Sequence, residues 1–226
     1  MIEKEKFLDE LVKVALQSKS DIGCFSPIIY YYDVPNIPQY AGKEYFSPLL
    51  GVSYLKTSSG NLFIFKQKWL SNCLTELEEI IDTELITGAA VMFKRDVLLN
   101  IGLLDESMFM GWEDIKYSLS LRKYGYRAIF IKSSKVFHKG SVKFVKYSPF
   151  RVYQDTKNKI YVLKHLPFIK FFFSFIFNIF LWIPIDVILI CYKNLKNPRK
   201  VINLITWILF GIIDGIKTSP VRKKRG

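Results

Sequence analysis

Residues 112–138, WEDIKYSLSLRKYGYRAIFIKSSKVFH, hold a helix, a stop and a return strand in one run. Trp112 to Tyr124 reads as the helix: Ile115 and Leu119 share one face, acids open the first turn, Arg122-Lys123 close the last, and Gly125 ends it. Tyr126 to Ile131 reads as a strand, and Lys135-Val136-Phe137 as a shorter one ending at His138. The helix carries the chain about 20 Å away at ~1.5 Å per residue, and a six-residue strand returns it about 20 Å at ~3.3 Å per residue. Asp114 and His138 are therefore expected at the same end of one α/β domain.

Upstream, Glu84 to Phe93 reads as a strand whose Thr87-Gly88-Ala89-Ala90 would let another group approach the backbone, and Arg95 to Asn100 as a short helix ended by Gly102. Leu49 to Lys56 and Leu62 to Lys66 alternate around Ser58-Ser59-Gly60-Asn61, a hairpin signal. Asp33 to Pro48, with three prolines and Gly42, reads as an irregular loop. Residues 5–18 place Phe7, Leu8, Leu11, Val14 and Ala15 at helical spacing, and the apolar run Cys24 to Tyr32 reads as a buried strand.

Two features carry candidate chemistry. Glu113-Asp114 opens a helix, where the local dipole holds a carboxylate ionised, as suits a base that accepts a proton from a hydroxyl. His138 closes the strand region, and an imidazole there can ligate a cation or bond a phosphate. On spacing alone, first-turn acids and a strand-end histidine with no site between them are the commoner arrangement.

The longer string Thr87-Gly88-Ala89-Ala90-Val91-Met92-Phe93-Lys94-Arg95, Ile101-Gly102-Leu103-Leu104-Asp105-Glu106, Phe109, Trp112-Glu113-Asp114, Leu121-Arg122, Gly125 and Val136-Phe137-His138-Lys139-Gly140-Ser141 resembles the second half of the family 2 inverting glycosyltransferases. The likeness is greatest to the rhamnosyltransferase-like and galactofuranosyltransferase-like members that build cell-surface polysaccharides, and covers about residues 5–165. It implies an α/β fold: the acceptor half of a GT-A, Rossmann-like domain over residues 1–165, followed by membrane-associated amphipathic helices over residues 166–226. By the same resemblance Asp114 matches the catalytic base and Glu113 its acidic neighbour. Gly88 and Ala89 match the strand beside the acceptor, and His138 the histidine that contacts the metal and donor diphosphate. Trp112 stands where the family places an aromatic beside the base, with a core tryptophan as the alternative role. Arg122 reads as a last-turn cation, and Asp105 and Glu106 as capping or salt-bridging acids. The implied partners are a nucleotide-sugar donor and a glycan or lipid-linked acceptor, with a divalent metal as cofactor. Mn²⁺ tolerates imidazole better than Mg²⁺ does.

The chain also departs from the family: it contains no Asp-x-Asp, the motif that holds the cation on the donor diphosphate. Asp82-Thr83-Glu84 is the nearest imitation and reads as a solvated turn. Residues 1–20 match the helix that follows the metal motif in complete members. The expectation is a donor site incomplete in this sequence, so that the isolated chain is inactive unless a companion chain supplies the donor half. A non-catalytic remnant or subunit that binds acceptor or membrane is the alternative.

The 226 residues are 50% hydrophobic, 16% aromatic and 23% charged, which excludes disordered, collagen-like and disulfide-scaffold classes. Cys24, Cys73 and Cys191 have neither metal spacing nor disulfide pattern, and a reducing, cytosolic setting follows. Residues 151–226 hold 14 Lys+Arg against three acids, a net +11 of the total +13, so the excess charge lies in the last third. That third is also the apolar part, which suits an anionic membrane surface and not nucleic acid. Phe171 to Tyr192 is 22 residues long and Val201 to Ile216 is 16, against about 20 needed to span a bilayer. With Lys170, Ser174 and Asn178 on one face and every flank basic, in-plane helices on the cytoplasmic face of the cell membrane are favoured, peripheral or embedded. A crossing hairpin is the runner-up and a partner-binding helical pair the third option.

Overall fold

The computed structural model describes residues 6–42, 44–56, 62–63, 77–139 and 148–218. The tip of the expected hairpin at 57–61, Cys73, Gly140-Ser141 and Arg222 to Arg225 lie outside them. The described chain is mixed α/β and divides into two compact units. The first holds helix α1 (Lys6–Gln17), strands β1 (Ile22–Tyr31), β2 (Pro38–Tyr40), β3 (Glu44–Ser47), β4 (Val52–Lys56), β5 (Leu62–Phe63), β6 (Ile80–Thr83), β7 (Met92–Phe93) and β8 (Arg127–His138), with helices α2 (Arg95–Ile101) and α3 (Glu113–Lys123). The second holds helices α4 (Pro149–Leu163), α5 (Phe168–Lys193) and α6 (Pro198–Lys217), together with the segments Ser47–Val52 and Asp105–Glu113.

The main sheet runs β2-β1-β8-β6, with β7 also on β1. Only β1 and β8 of these pair in parallel; β2, β7 and β6 join antiparallel. β1 reads as an unbroken apolar run because both of its faces are covered. Phe25 packs with Ile129, Ile131 and α1's Leu11, while Cys24 packs with Ala128, Val97, Ile101, Tyr117 and Leu121. Each such buried aliphatic contributes about 1.5–3 kcal/mol.

Several expectations are corrected. The two strands foreseen at 126–131 and 135–138 are one strand, broken in register where Pro27 faces Ile131 and Ile28 faces Lys135. Pro27 has no N–H to continue the ladder, and the extra residues bulge so that Ser134 Oγ donates to Phe7 O at 2.7 Å. Glu84 to Phe93 is not a strand apart from Met92–Phe93; the strand lies earlier, at Ile80–Thr83, paired with β8. Asp82 and Thr83 are accordingly strand residues and not a turn. Residues 33–48 contain two short strands, β2 and β3, and β4 pairs with β5 as the hairpin signal implied.

Helix α4 was not foreseen, although Ser148-Pro149 is a helix-start signal: Ser148 Oγ accepts from Arg151 N–H at 3.3 Å, with Pro149 in the first turn. α5 runs past both ends of the apolar segment and contains a π-helical turn, Asn178–Trp182, just before Pro184. A π turn there accommodates the missing proline N–H without ending the helix. In the second unit Val152, Ile190, Leu204 and Ile208 form the core. Helices α4 and α6 approach through Gly211 and Gly215: a Cβ at Gly215 would stand 2.7 Å from Lys157 O, and one at Gly211 2.8 Å from Tyr153 O.

Candidate active site

Asp114 lies in the first turn of α3, and its carboxylate is oriented by two backbone donors. Ile115 N–H donates to Oδ1 at 2.8 Å and Gly88 N–H donates to Oδ2 at 3.3 Å. One turn later Ser118 Oγ accepts from Ile86 N–H at 3.0 Å and donates to Asp114 O at 2.7 Å. Residues 86–88 thus lie along α3 with alternate N–H groups taken by Asp114 and Ser118, which is why this stretch leaves the sheet. Asp114 and Gly88, both singled out from the sequence, are brought together. Ala89 is exposed beside them, its N–H on Thr87 Oγ1 at 3.5 Å.

Asp114 lines a cavity of about 280 Å³ with Tyr31, Gln39, Tyr40, Glu44 and Thr87 among its walls, at the small end of the range of small-molecule pockets, about 300–1,000 Å³. His138 reaches this wall through Gln39: its Nδ1 lies 2.8 Å from Gln39 Oε1. An amide oxygen can only accept, so Nδ1 carries the proton and Nε2 is the basic nitrogen. Tyr40 donates its hydroxyl to Leu85 O at 2.8 Å, and burial pushes the phenol above its ordinary range, so it serves as a fixed neutral donor. The buried Cys24 thiol is pushed up to about 12 by desolvation and is no nucleophile.

Cavities of about 270 and 430 Å³ lie beside Arg127, but Arg127 is taken by Asp82 at 2.8 Å and Asp21 at 3.2 Å. In the smaller of them Arg122 is likewise taken, by Glu84 at 2.8 Å.

Glu113 is the first residue of α3 and half-buried, and Trp112 precedes it with φ +72°, a left-handed conformation that is strained for a tryptophan. Two neighbours on α4 hold that turn. Asn158 Nδ2 donates to Met110 O and Gly111 O, each at 2.9 Å, and Lys159 Nζ stands 5.6 Å from the Trp112 ring centroid and 5.0 Å from that of Trp182. Desolvation pushes the Lys159 ammonium down to about 8, with Asp186 and Asp155 pulling the other way. Asp105 caps its own turn through Ser107 N–H at 3.0 Å and accepts from Tyr161 Oη at 2.8 Å.

Gln39, Glu44 and Ser118 were missed from the sequence. The first two lie in strands of three and four residues, too short for periodicity to register, and Ser118 looks like any surface serine on a helix. His138 offers one imidazole, and no three of His, Cys, Asp and Glu come together among the described residues. These residues do not by themselves fit a divalent metal. Neither protein-family models nor curated proteins match this chain.

Proposed function

We propose that this chain supplies the acceptor side of an inverting glycosyl transfer, moving a sugar from a nucleotide-sugar to a lipid-linked or polysaccharide acceptor in cell-surface glycan synthesis, with its first unit the acceptor half of a GT-A domain. The observation that carries the reading is Asp114: a helix-start carboxylate, aimed by two backbone N–H groups, on the wall of a small cavity that Gln39, Glu44 and Thr87 also line. In this reading an acceptor hydroxyl attacks the anomeric carbon as Asp114 takes its proton, and the nucleoside diphosphate leaves from the opposite face. Gly88 and Ala89 edge the acceptor, Gln39 fixes the His138 ring, and the α4 residues Asn158 and Lys159 hold the turn that leads into Glu113-Asp114.

The apolar α5 and the basic residues about it support placement at the cytoplasmic face of the cell membrane, where a lipid-linked acceptor resides. A second reading, a non-catalytic subunit that binds acceptor or membrane, is favoured by the missing Asp-x-Asp motif of the donor half. The test is to offer the chain, alone and with a donor half fused upstream, a panel of nucleotide-sugars and lipid-linked acceptors, and to read the anomeric configuration of any product by NMR. A product inverted relative to the donor supports the proposal. Retention overturns the mechanism, and acceptor binding without transfer in every format supports the second reading.

A further inference from the structure

Helix α5 has two unlike faces. Ser174, Asn178 and Trp182 recur every fourth residue, within about 80° of one another at ~100° per residue, and each is fastened to its own unit. Ser174 Oγ donates to Pro48 O, Asn178 Nδ2 donates to Leu50 O at 2.9 Å, and the Trp182 ring lies against the Lys159 ammonium. The fastening segment sits close: at Gly51, φ +63°, a Cβ would meet Leu163 Cδ2 at 2.7 Å and Asn178 Nδ2 at 2.9 Å. By the same step, Ile169, Phe172, Phe173 and Ile176 fall on the opposite side, Phe180 stays on that side through the wider π turn, and all five are exposed.

Among the described residues α5 is the one helix long and apolar enough to cross a membrane, by length and composition. Crossing would set residues 174–182 deep in the hydrocarbon of a helix only about 39 Å long at ~1.5 Å per residue, and with them the irregular segment Ser47–Val52 and a lysine ammonium. Irregular backbone does not occur against lipid at that depth, and a lysine there is costly. Lying flat has neither cost: the Phe/Ile face sinks about 5–10 Å while the fastened face stays against protein. Exposed Lys170 near the start of α5, and Lys193, Lys196, Arg199 and Lys200 at and after its end, then reach headgroup level.

We infer that α5 lies in the plane of an anionic bilayer, seated by its Ile169, Phe172, Phe173, Ile176 and Phe180 face, and does not cross it. The inference rests on the membrane reading above and adds the seating face, with the fastened stripe of Ser174, Asn178 and Trp182 as the structural ground for the flat orientation. The test places Lys170→Cys or Tyr192→Cys in a chain carrying Cys24→Ala, Cys73→Ala and Cys191→Ala, expressed in a bacterial host. A membrane-impermeant maleimide is applied to intact spheroplasts and to inside-out vesicles. Both positions are expected to react in inside-out vesicles alone. Reaction of the two from opposite sides overturns the flat placement while leaving membrane residence intact, and recovery of the chain in the soluble fraction overturns both. The unaltered chain gives an independent readout: alkaline carbonate should release it, and retention in the bilayer pellet overturns the inference. Purified full chain should bind phosphatidylglycerol-containing vesicles at least about tenfold better than pure phosphatidylcholine, and equal binding overturns the anionic part.

Discussion

Both units close over an apolar core, and both bury polar side chains, Ser26, Glu44, Thr83, Ser118 and Ser134 in the sheet unit among them; they differ in the apolar surface they expose. In the sheet unit the interior is Phe25, Ile28, Ile29, Phe130 and Ile131, and charges such as Arg127 and Asp82 pair on the surface. In the helical unit Gln154, Asn158, Lys159, Ser174 and Asn178 are buried while Phe168, Ile169, Phe172, Phe180 and Ile188 are exposed. The sheet unit is ordered for water on its outside. The helical unit uses buried polar groups to hold its parts together and shows apolar surface beyond what a water-facing domain needs. The same hydrophobic residue types therefore do different work in the two units.

That contrast predicts unequal sensitivities. The largest stability effect is expected from Gly215→Leu, which puts a side chain where a Cβ already meets Lys157 O at 2.7 Å; a loss of about 3 kcal/mol should appear as an earlier unfolding transition of the helical unit in calorimetry. An unchanged scan would break the close-packing account. Next, Asn158→Leu leaves the Met110 and Gly111 carbonyls without their donor and should cost about 1–3 kcal/mol in denaturant unfolding, more than a typical surface polar change.

An effect of similar size, spread over pH, is expected at Lys159. The folded chain releases this proton near pH 8, whereas an ordinary lysine holds it to about 10.5, so between those values the unfolded state binds more protons and stability rises with pH. The melting temperature of the wild-type chain, relative to Lys159→Met, should climb from pH 8 to pH 10.5 and stay level below pH 8. A parallel pair of curves would contradict the buried-lysine reading. Smallest of all, Arg127→Ala removes only exposed pairs and should shift stability by less than about 1 kcal/mol; a larger loss would mean that the sheet unit leans on its surface charges as the helical unit leans on its buried ones.

What was legible in the sequence follows the strength of each local signal. α1, β1, α2 and α3 were readable because a 3.6-residue period, a continuous apolar run and glycine stops are written within each segment. The 84–93 stretch misled because its small and β-branched residues suit a strand, while its N–H groups are taken by Asp114 and Ser118, about 30 residues away, a tertiary contact that no local pattern records. At the candidate site, Asp114, Gly88 and His138 stood out through the resemblance, and the structure brings Asp114 to Gly88. Gln39 and Glu44 did not, since each owes its place to a short strand in a proline-rich segment. The buried stripe on α5 was partly legible: Ser174 and Asn178 do share a face and are buried, but Lys170, grouped with them by spacing, is exposed.

The central claim, that Asp114 is the proton acceptor in sugar transfer, is tested most directly by Asp114→Asn in the chain carrying its donor half, with turnover and melting temperature measured together and Glu113→Gln and Glu44→Gln as companions. Asparagine keeps the shape but has one acceptor oxygen for the Ile115 and Gly88 N–H groups and takes no proton, so turnover should fall by roughly 10²–10⁴ with donor affinity nearly unchanged and a stability loss of only about 0.5–1.5 kcal/mol for the lost hydrogen bond. An Asp114→Asn enzyme that turns over normally, above all beside a Glu44→Gln enzyme that does not, would contradict the account and move the base across the cavity.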